Sequence, residues 1–426
     1  MGSIRSAGMC APVALMATPC AADEDSAELE PLNRFPRMMQ EYLTARLRAV
    51  YEENTRRVMA LDSKRDARRY VSALQGRMRR IFGPMPERTD LNLRVTGELE
   101  RDGYVVRKLI FDSRPEFPVT ANLYIPRGFE GSRPAVLALC GHSMDAKAYE
   151  PYQAFVQALA RMGYITLVFD PIGQGERIQY HDGKGGSEVG GPVIEHNFIG
   201  RQQVLVGEFI GTWFVWDGIR AMDVLLAQEN VDRARVGVTG NSGGGNMTVY
   251  AVATDPRITM AAPSCWVTSW HHNGVNEEPI DAEQCALNAL GLGIEQSDLL
   301  LARAPMPILL VTQEQDFFDQ RGSHEAFERM KHVYRLLGAE ESVAYHVGPG
   351  VHGFSQDGRE AMYAFFNRQA QVDRPGTEPE LAYEAVADLR CTETGQVDEL
   401  GARSIFEFTR EKSRALAGRR GTPSGE

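Results

Sequence analysis

Residues 235–244 read Arg235-Val236-Gly237-Val238-Thr239-Gly240-Asn241-Ser242-Gly243-Gly244, and their order decides the fold. The first five form a short apolar strand. A helical run begins near Asn246. Between them lies a G-x-S-x-G turn in the strand–turn–helix setting that a nucleophile elbow requires. Such a turn is sharp and strained, so the positions two before and two after the serine must be small. The hydroxyl then projects at the C-terminal edge of the strand. A helix N-terminus beside it favours developing negative charge.

Strands and helices alternate outward from this point. Continuous apolar runs occur at Ala135 to Cys140, Ile165 to Phe169, Ile258 to Ala262, Ile308 to Thr312 and Ser342 to Val347. Helical stretches fall at Tyr152 to Met162 and at about Val204 to Gln228. Apolar strands separated by helices imply an α/β fold, a mostly parallel central sheet with helices on both faces. Before it, Val95 to Arg101, Tyr104 to Ser113 and Val119 to Ile125 read as antiparallel opening strands.

The catalytic domain is expected over residues 91–370. Residues 31–90 read as an N-terminal helical extension, its second helix capped at Ser63, and residues 371–426 as a C-terminal extension. Residues 265–305 break the alternation and suggest a lid-like insertion. Residues 1–30 read either as a disordered tail or as a weak signal peptide ending near Ala22. The second reading implies a periplasmic or secreted protein, the first a cytoplasmic one.

A serine hydroxyl needs a base, and the base needs an orienting acid. In this fold both come from loops after later strands, in the order serine, acid, histidine. Asp316 follows the strand Ile308 to Thr312, with Asp319 and Glu314 as rivals for the acid. His352 follows the strand Ser342 to Val347. The oxyanion hole is expected from the N–H of Gly243 and that of His142, in the loop Cys140-Gly141-His142-Ser143.

Composition bounds the partners. The 426 residues carry a formal net charge of −11, with 43% hydrophobic and 24% charged residues. That balance argues for a globular protein and against a nucleic-acid partner. No apolar run reaches the roughly 18 residues of a membrane helix. The six cysteines include no C-x-x-C pair, so no structural zinc site is expected. Cys265 and Cys285 are either reduced thiols or a pair. His271-His272 lacks matched ligands for a metal. No cofactor or metal is expected, and the oligomeric state is open.

The ordered set Cys140-Gly141-His142-Ser143, Asp170-Pro171-Ile172-Gly173-Gln174-Gly175-Glu176-Arg177, the Ser242 elbow, Asp281-Ala282-Glu283-Gln284, Asp316 and His352-Gly353-Phe354-Ser355 resembles the bacterial acetyl xylan esterase-like α/β-hydrolases. Its Gly-Gln-Gly turn is similar to that of the cephalosporin C deacetylase branch. The resemblance runs from about Arg37 to Arg410. It implies the α/β-hydrolase fold and hydrolysis of carbohydrate esters, with a small-molecule or oligosaccharide ester as substrate.

Four residues are candidate substrate contacts. Trp266 and Trp270 offer flat surfaces for a sugar, or a lid core. Arg177 is the candidate cation for a uronate, or a structural ion pair. Glu283, with Asp281, is a substrate contact or a solvated acid at a helix start. The rival activities are a methyl esterase of uronic acid polymers and a peptidase or thioesterase. A binding protein on a hydrolase scaffold is a further alternative, which the intact Ser, Asp and His oppose.

Overall fold

The computed structural model describes residues 35–276 and 280–419. The chain divides into two compact units. One ends at Tyr42, and the other runs from Leu43 to Glu426. The signal-peptide reading of residues 1–30 and Cys10 and Cys20 lie outside the described residues.

The strands are β1 (Arg94–Arg101), β2 (Tyr104–Arg114), β3 (Phe117–Pro126), β4 (Arg133–Leu139), β5 (Ile165–Phe169), β6 (Val231–Asn241), β7 (Met260–Ser264), β8 (Ile308–Gln315) and β9 (Val343–Val351). The first six helices are α1 (Met38–Met59), α2 (Lys64–Phe82), α3 (Glu150–Arg161), α4 (Pro192–Leu205), α5 (Ile210–Leu226) and α6 (Gly243–Thr254). The remaining six are α7 (Trp270–Asn276), α8 (Gln296–Leu301), α9 (Gln320–Leu337), α10 (Gln356–Ala370), α11 (Val386–Leu389) and α12 (Ile405–Arg419).

The strands join in one sheet of order β1-β2-β3-β5-β4-β6-β7-β8-β9. The pairs from β1 to β3, and β3 with β5, are antiparallel; every pair from β5 through β4 to β9 is parallel. This is the mostly parallel α/β-hydrolase sheet expected from the sequence. Alternate residues explain why the central strands read as continuous apolar runs. Leu137 and Leu139 of β4 enter one core, while Val136 and Ala138 enter the core on the other face. Each fully buried Leu or Val contributes about 1.5–3 kcal/mol relative to exposure.

Chain order reverses between β4 and β6, and their C-terminal ends therefore border a crevice. Both His142 and Ser242 follow those ends.

One element differs from expectation. In place of a helix over Val204 to Gln228 there are two, α4 and α5, separated at Gly207, which has φ +70°. A left-handed glycine ends a helix readily. The sequence reading merged the two helices and passed over the residues of α4 before Val204.

Helix α2 starts at Ser63, whose side chain caps Asp66 N–H, and buries Ala67, Leu74, Met78 and Ile81 in the main core. Residues 265–276 and 280–305 also pack inward. Glu295 and Asp298 cap α8 reciprocally, and Tyr70 donates to Asp298 at 2.7 Å. No described helix is long and apolar enough to cross a membrane.

Candidate active site

Ser242 sits between β6 and α6 with φ 59° and ψ −123°, a conformation that non-glycine residues rarely adopt. Its N–H donates to Ser264 O at 3.0 Å, and its carbonyl accepts from Asn246 N–H, closing the first turn of α6. The small neighbours are required by contact. A Cβ on Gly240 would lie 2.3 Å from Leu139 O, and one on Gly244 would lie 2.2 Å from the same carbonyl. The elbow is therefore pressed against the end of β4.

The loop after β4 touches the serine directly. A Cβ on Gly141 would stand 3.1 Å from Ser242 Cβ, and the His142 ring packs over Gly243. The Gly-Gln-Gly segment holds this loop from beneath. Gln174 Nε2 donates to Gly141 O at 2.9 Å and to Ser143 O at 3.2 Å. The segment is itself anchored by a buried ion group. Lys147 Nζ pairs with Asp170 at 2.5 Å and Glu176 at 2.6 Å, and Asp170 also accepts from Thr120. Burial opposes the Lys147 charge, but the two carboxylates outweigh it and raise its pKa. Glu176 also accepts from the N–H groups of Cys391 and Thr392, tying residues 391–392 to the same group.

After β9, His352 Nδ1 lies 2.8 Å from Oδ1 of Asp316, which follows β8. The Asp316 side chain is 1% exposed and the His352 side chain 22%. The same Asp316 oxygen accepts from Phe318 N–H at 3.0 Å. The Phe317 ring lies 4.1 Å from the imidazole, centroid to centroid. Buried Cys265 adjoins Asp316 and contacts Gly353 O. Burial, with the Asp316 charge behind it, pushes its thiol pKa well up. The rival acids stand apart. Asp319 caps α9 and pairs with Arg321, and Glu314 is exposed.

Three substrate-contact expectations are corrected. Arg177 is 1% exposed: it pairs with Asp217 at 2.9 Å and donates to Pro118 O and Asp170 O. Its burial in the core withholds it from a uronate. Trp266 and Trp270 are buried core residues, their indole N–H groups donating to Gln284 Oε1 and Ile294 O, both at 2.9 Å. Neither ring offers a face to a sugar. Cys265 and Cys285 are free thiols.

Glu283 and Asp281 are not solvated acids. Both are buried, and the insertion brings them to His142. Glu283 Oε1 is 3.0 Å and Asp281 Oδ2 3.5 Å from His142 Nε2. The fourth member is His196 of α4, which the sequence reading missed. Its Nδ1 lies 2.9 Å from His142 Nε2 and 3.3 Å from Glu283 Oε2. Burial and the Glu283 charge lift the Asp281 carboxyl to about 6. Burial alone would raise Glu283, but the two imidazoles outweigh it and hold its carboxyl well below the usual range. Burial would likewise lower His196, and the Glu283 charge raises it instead.

Two cavities of about 540 and 610 Å³ border Phe82 to Met85, and none of the candidate residues lines either.

Residues 89–270 match the family model of acetyl xylan esterase. The Bacillus subtilis protein YtaP is 26% identical over 212 residues, which is 47% of this chain and 66% of YtaP. The chain thus spans just under two thirds of that curated relative. Among solved structures, the methylesterase BT1017 superposes with a TM-score of 0.64 at 20% identity, covering 89% of this chain and 80% of its own. A glucuronoyl esterase from Solibacter usitatus gives a TM-score of 0.52 at 17% identity, covering 69% and 91%. Residues 89–270 are thus similar to acetyl xylan esterase, and the solved structures share the α/β-hydrolase fold of this chain.

Proposed function

We propose that this α/β-hydrolase is a serine carbohydrate esterase of the acetyl xylan esterase kind, acting on short acyl esters of sugars. The reading is supported by the 2.8 Å contact of His352 with Asp316 and by a serine held at φ 59° at the start of α6. An ionised Asp316 can only accept, so His352 carries a proton on Nδ1, and Nε2 is left as the basic nitrogen.

In the proposed mechanism His352 Nε2 takes the Ser242 proton as Oγ attacks the ester carbonyl. The N–H groups of Gly243 and His142 hold the oxyanion. Asp316 stabilises the imidazolium and fixes its tautomer. His352 then protonates the leaving alkoxide and afterwards activates water to cleave the acyl-enzyme. The partial exposure of His352 suits a base that must meet substrate and water in turn.

The second reading is a methyl esterase of uronic acid polymers. Its support is the likeness of fold to the methylesterase BT1017 and to a glucuronoyl esterase. Against it stands Arg177, which is sealed in the core. A panel of p-nitrophenyl acetate, p-nitrophenyl octanoate, acetylated xylan and methylated pectin separates the readings. The proposal expects acetate turnover and release of acetate from xylan. Preference for octanoate would overturn the carbohydrate reading, and methanol release from pectin alone would select the second.

A further inference from the structure

Four polar side chains from three separate parts of the chain converge beside the oxyanion loop: His142 after β4, His196 on α4, and Asp281 and Glu283 from the insertion. Their facing atoms are spaced at 2.9 Å (His142 Nε2 to His196 Nδ1), 3.0 Å (His142 Nε2 to Glu283 Oε1), 3.3 Å (His196 Nδ1 to Glu283 Oε2) and 3.5 Å (His142 Nε2 to Asp281 Oδ2). A tetrahedral zinc ion with bonds of about 2.0–2.1 Å separates its ligand atoms by roughly 3.4 Å. The cluster has that size.

The tautomer of His196 sharpens the point. Its Nε2 lies 2.7 Å from Ile172 O, and a carbonyl only accepts, so the proton is on Nε2. A neutral His196 then turns the lone pair of Nδ1 into the centre of the cluster. A histidine that ligates a metal commonly gives its other N–H to a backbone carbonyl in this way. Glu283 is 1% exposed, and among the described residues neither of its oxygens finds a hydrogen-bond donor in suitable alignment. Asp281 borders the group: its Oδ2, 3.5 Å from His142 Nε2, also accepts from Gln284 Nε2 at 2.9 Å, and its Oδ1 accepts from Asn197 Nδ2 at 3.5 Å. Histidine nitrogens with carboxylate oxygens form a donor set suited to zinc.

We propose that His142, His196 and Glu283, whose ligand atoms all lie within 4.8 Å of one another, bind a divalent transition-metal ion of the zinc class. The ion pins the loop that lies against Ser242 at Gly141. It holds together a strand end, a helix and an insertion that are remote in sequence. Without a metal, the same atoms need a proton on His142 Nε2 or a second one on His196 to separate the facing lone pairs.

The test uses the full chain carrying Ser242→Ala, so that its outcome is independent of the esterase reading. The protein is stripped with a chelator and titrated with zinc chloride, and metal content and melting temperature are followed. One equivalent per chain and a raised melting temperature are expected. His196→Ala and Glu283→Gln should each weaken binding by at least about 100-fold. His272→Ala, outside the cluster, should not. Cobalt(II) loaded in place of zinc should give the intense visible bands of a four-coordinate site. Absence of a stoichiometric ion in the folded unsubstituted protein would overturn the proposal, and so would binding that survives both substitutions. Should the variants fail to fold, the cobalt spectrum of the parent decides, weak octahedral bands counting against the site.

Discussion

His352 with Asp316, and His142 with His196 and Glu283, are two histidine–carboxylate groups of one fold. In the first, a partly exposed imidazole meets a single buried acid through one short contact. The second lies deeper, with His196 and Glu283 buried and His142 15% exposed, and its two imidazoles and the Glu283 carboxylate lie within 4.8 Å of one another. A general base must trade protons with substrate and water, so it needs access and one fixed tautomer. A group that holds a loop needs burial and many partners. The first group comes from loops after β8 and β9, the second from the loop after β4, helix α4 and residues 281–283, and the two differ in access more than in residue type.

Substitutions can break or sharpen this contrast. The largest effect is expected at the elbow. Ser242→Ala should fold normally and lose about 10⁶-fold in turnover of p-nitrophenyl acetate. Retention of most activity would remove the elbow from the mechanism. Next, Asp316→Asn should cost about 10⁴-fold, because the wrong histidine tautomer is then favoured. Asp319→Asn, which loses only a helix cap and a pair with Arg321, should leave turnover nearly intact. The reverse ranking would mean that the acid lies one helical turn further on.

Effects on stability come below these. Trp270→Ala should destabilise the protein by about 3–5 kcal/mol in urea denaturation, the cost of emptying a core site. It should change KM equally for acetylated oligosaccharide and p-nitrophenyl acetate. A selective effect on the oligosaccharide would restore the ring to the substrate surface. The smallest expected change is Gln174→Ala. It leaves Gly141 O and Ser143 O without their donor, at about 1–3 kcal/mol, and should lower kcat more than it raises KM. An unchanged kcat would show that the oxyanion loop does not need that support.

The sequence carried the first group and hid the second, for a physical reason. Ser242, Asp316 and His352 each stand just after a strand, and apolar runs reveal strand ends. The same logic located Gly141 and His142. His196 lies on α4, whose buried face carries Glu195, His196 and Gln203 while Ile194, Phe198 and Leu205 are exposed, so no apolar stripe marks that face and no strand end points to it. Asp281 and Glu283 lie in an insertion without periodicity. Charge and aromaticity misled for a related reason. Arg177, Trp266 and Trp270 carry groups that suit a ligand, but their partners, Asp217, Gln284 and Ile294, are distant in sequence or on other elements. Burial of that kind becomes visible only after packing.

The central claim is that Ser242 is activated by His352, and active-site labelling tests it most directly. The protein is incubated with a fluorophosphonate probe, digested, and the adduct located by mass spectrometry. The account predicts one adduct, on Ser242, absent in Ser242→Ala and strongly diminished in His352→Ala, with Ser143 and Ser355 unlabelled. Labelling that persists in Ser242→Ala, or that proceeds at full rate without His352, would contradict it.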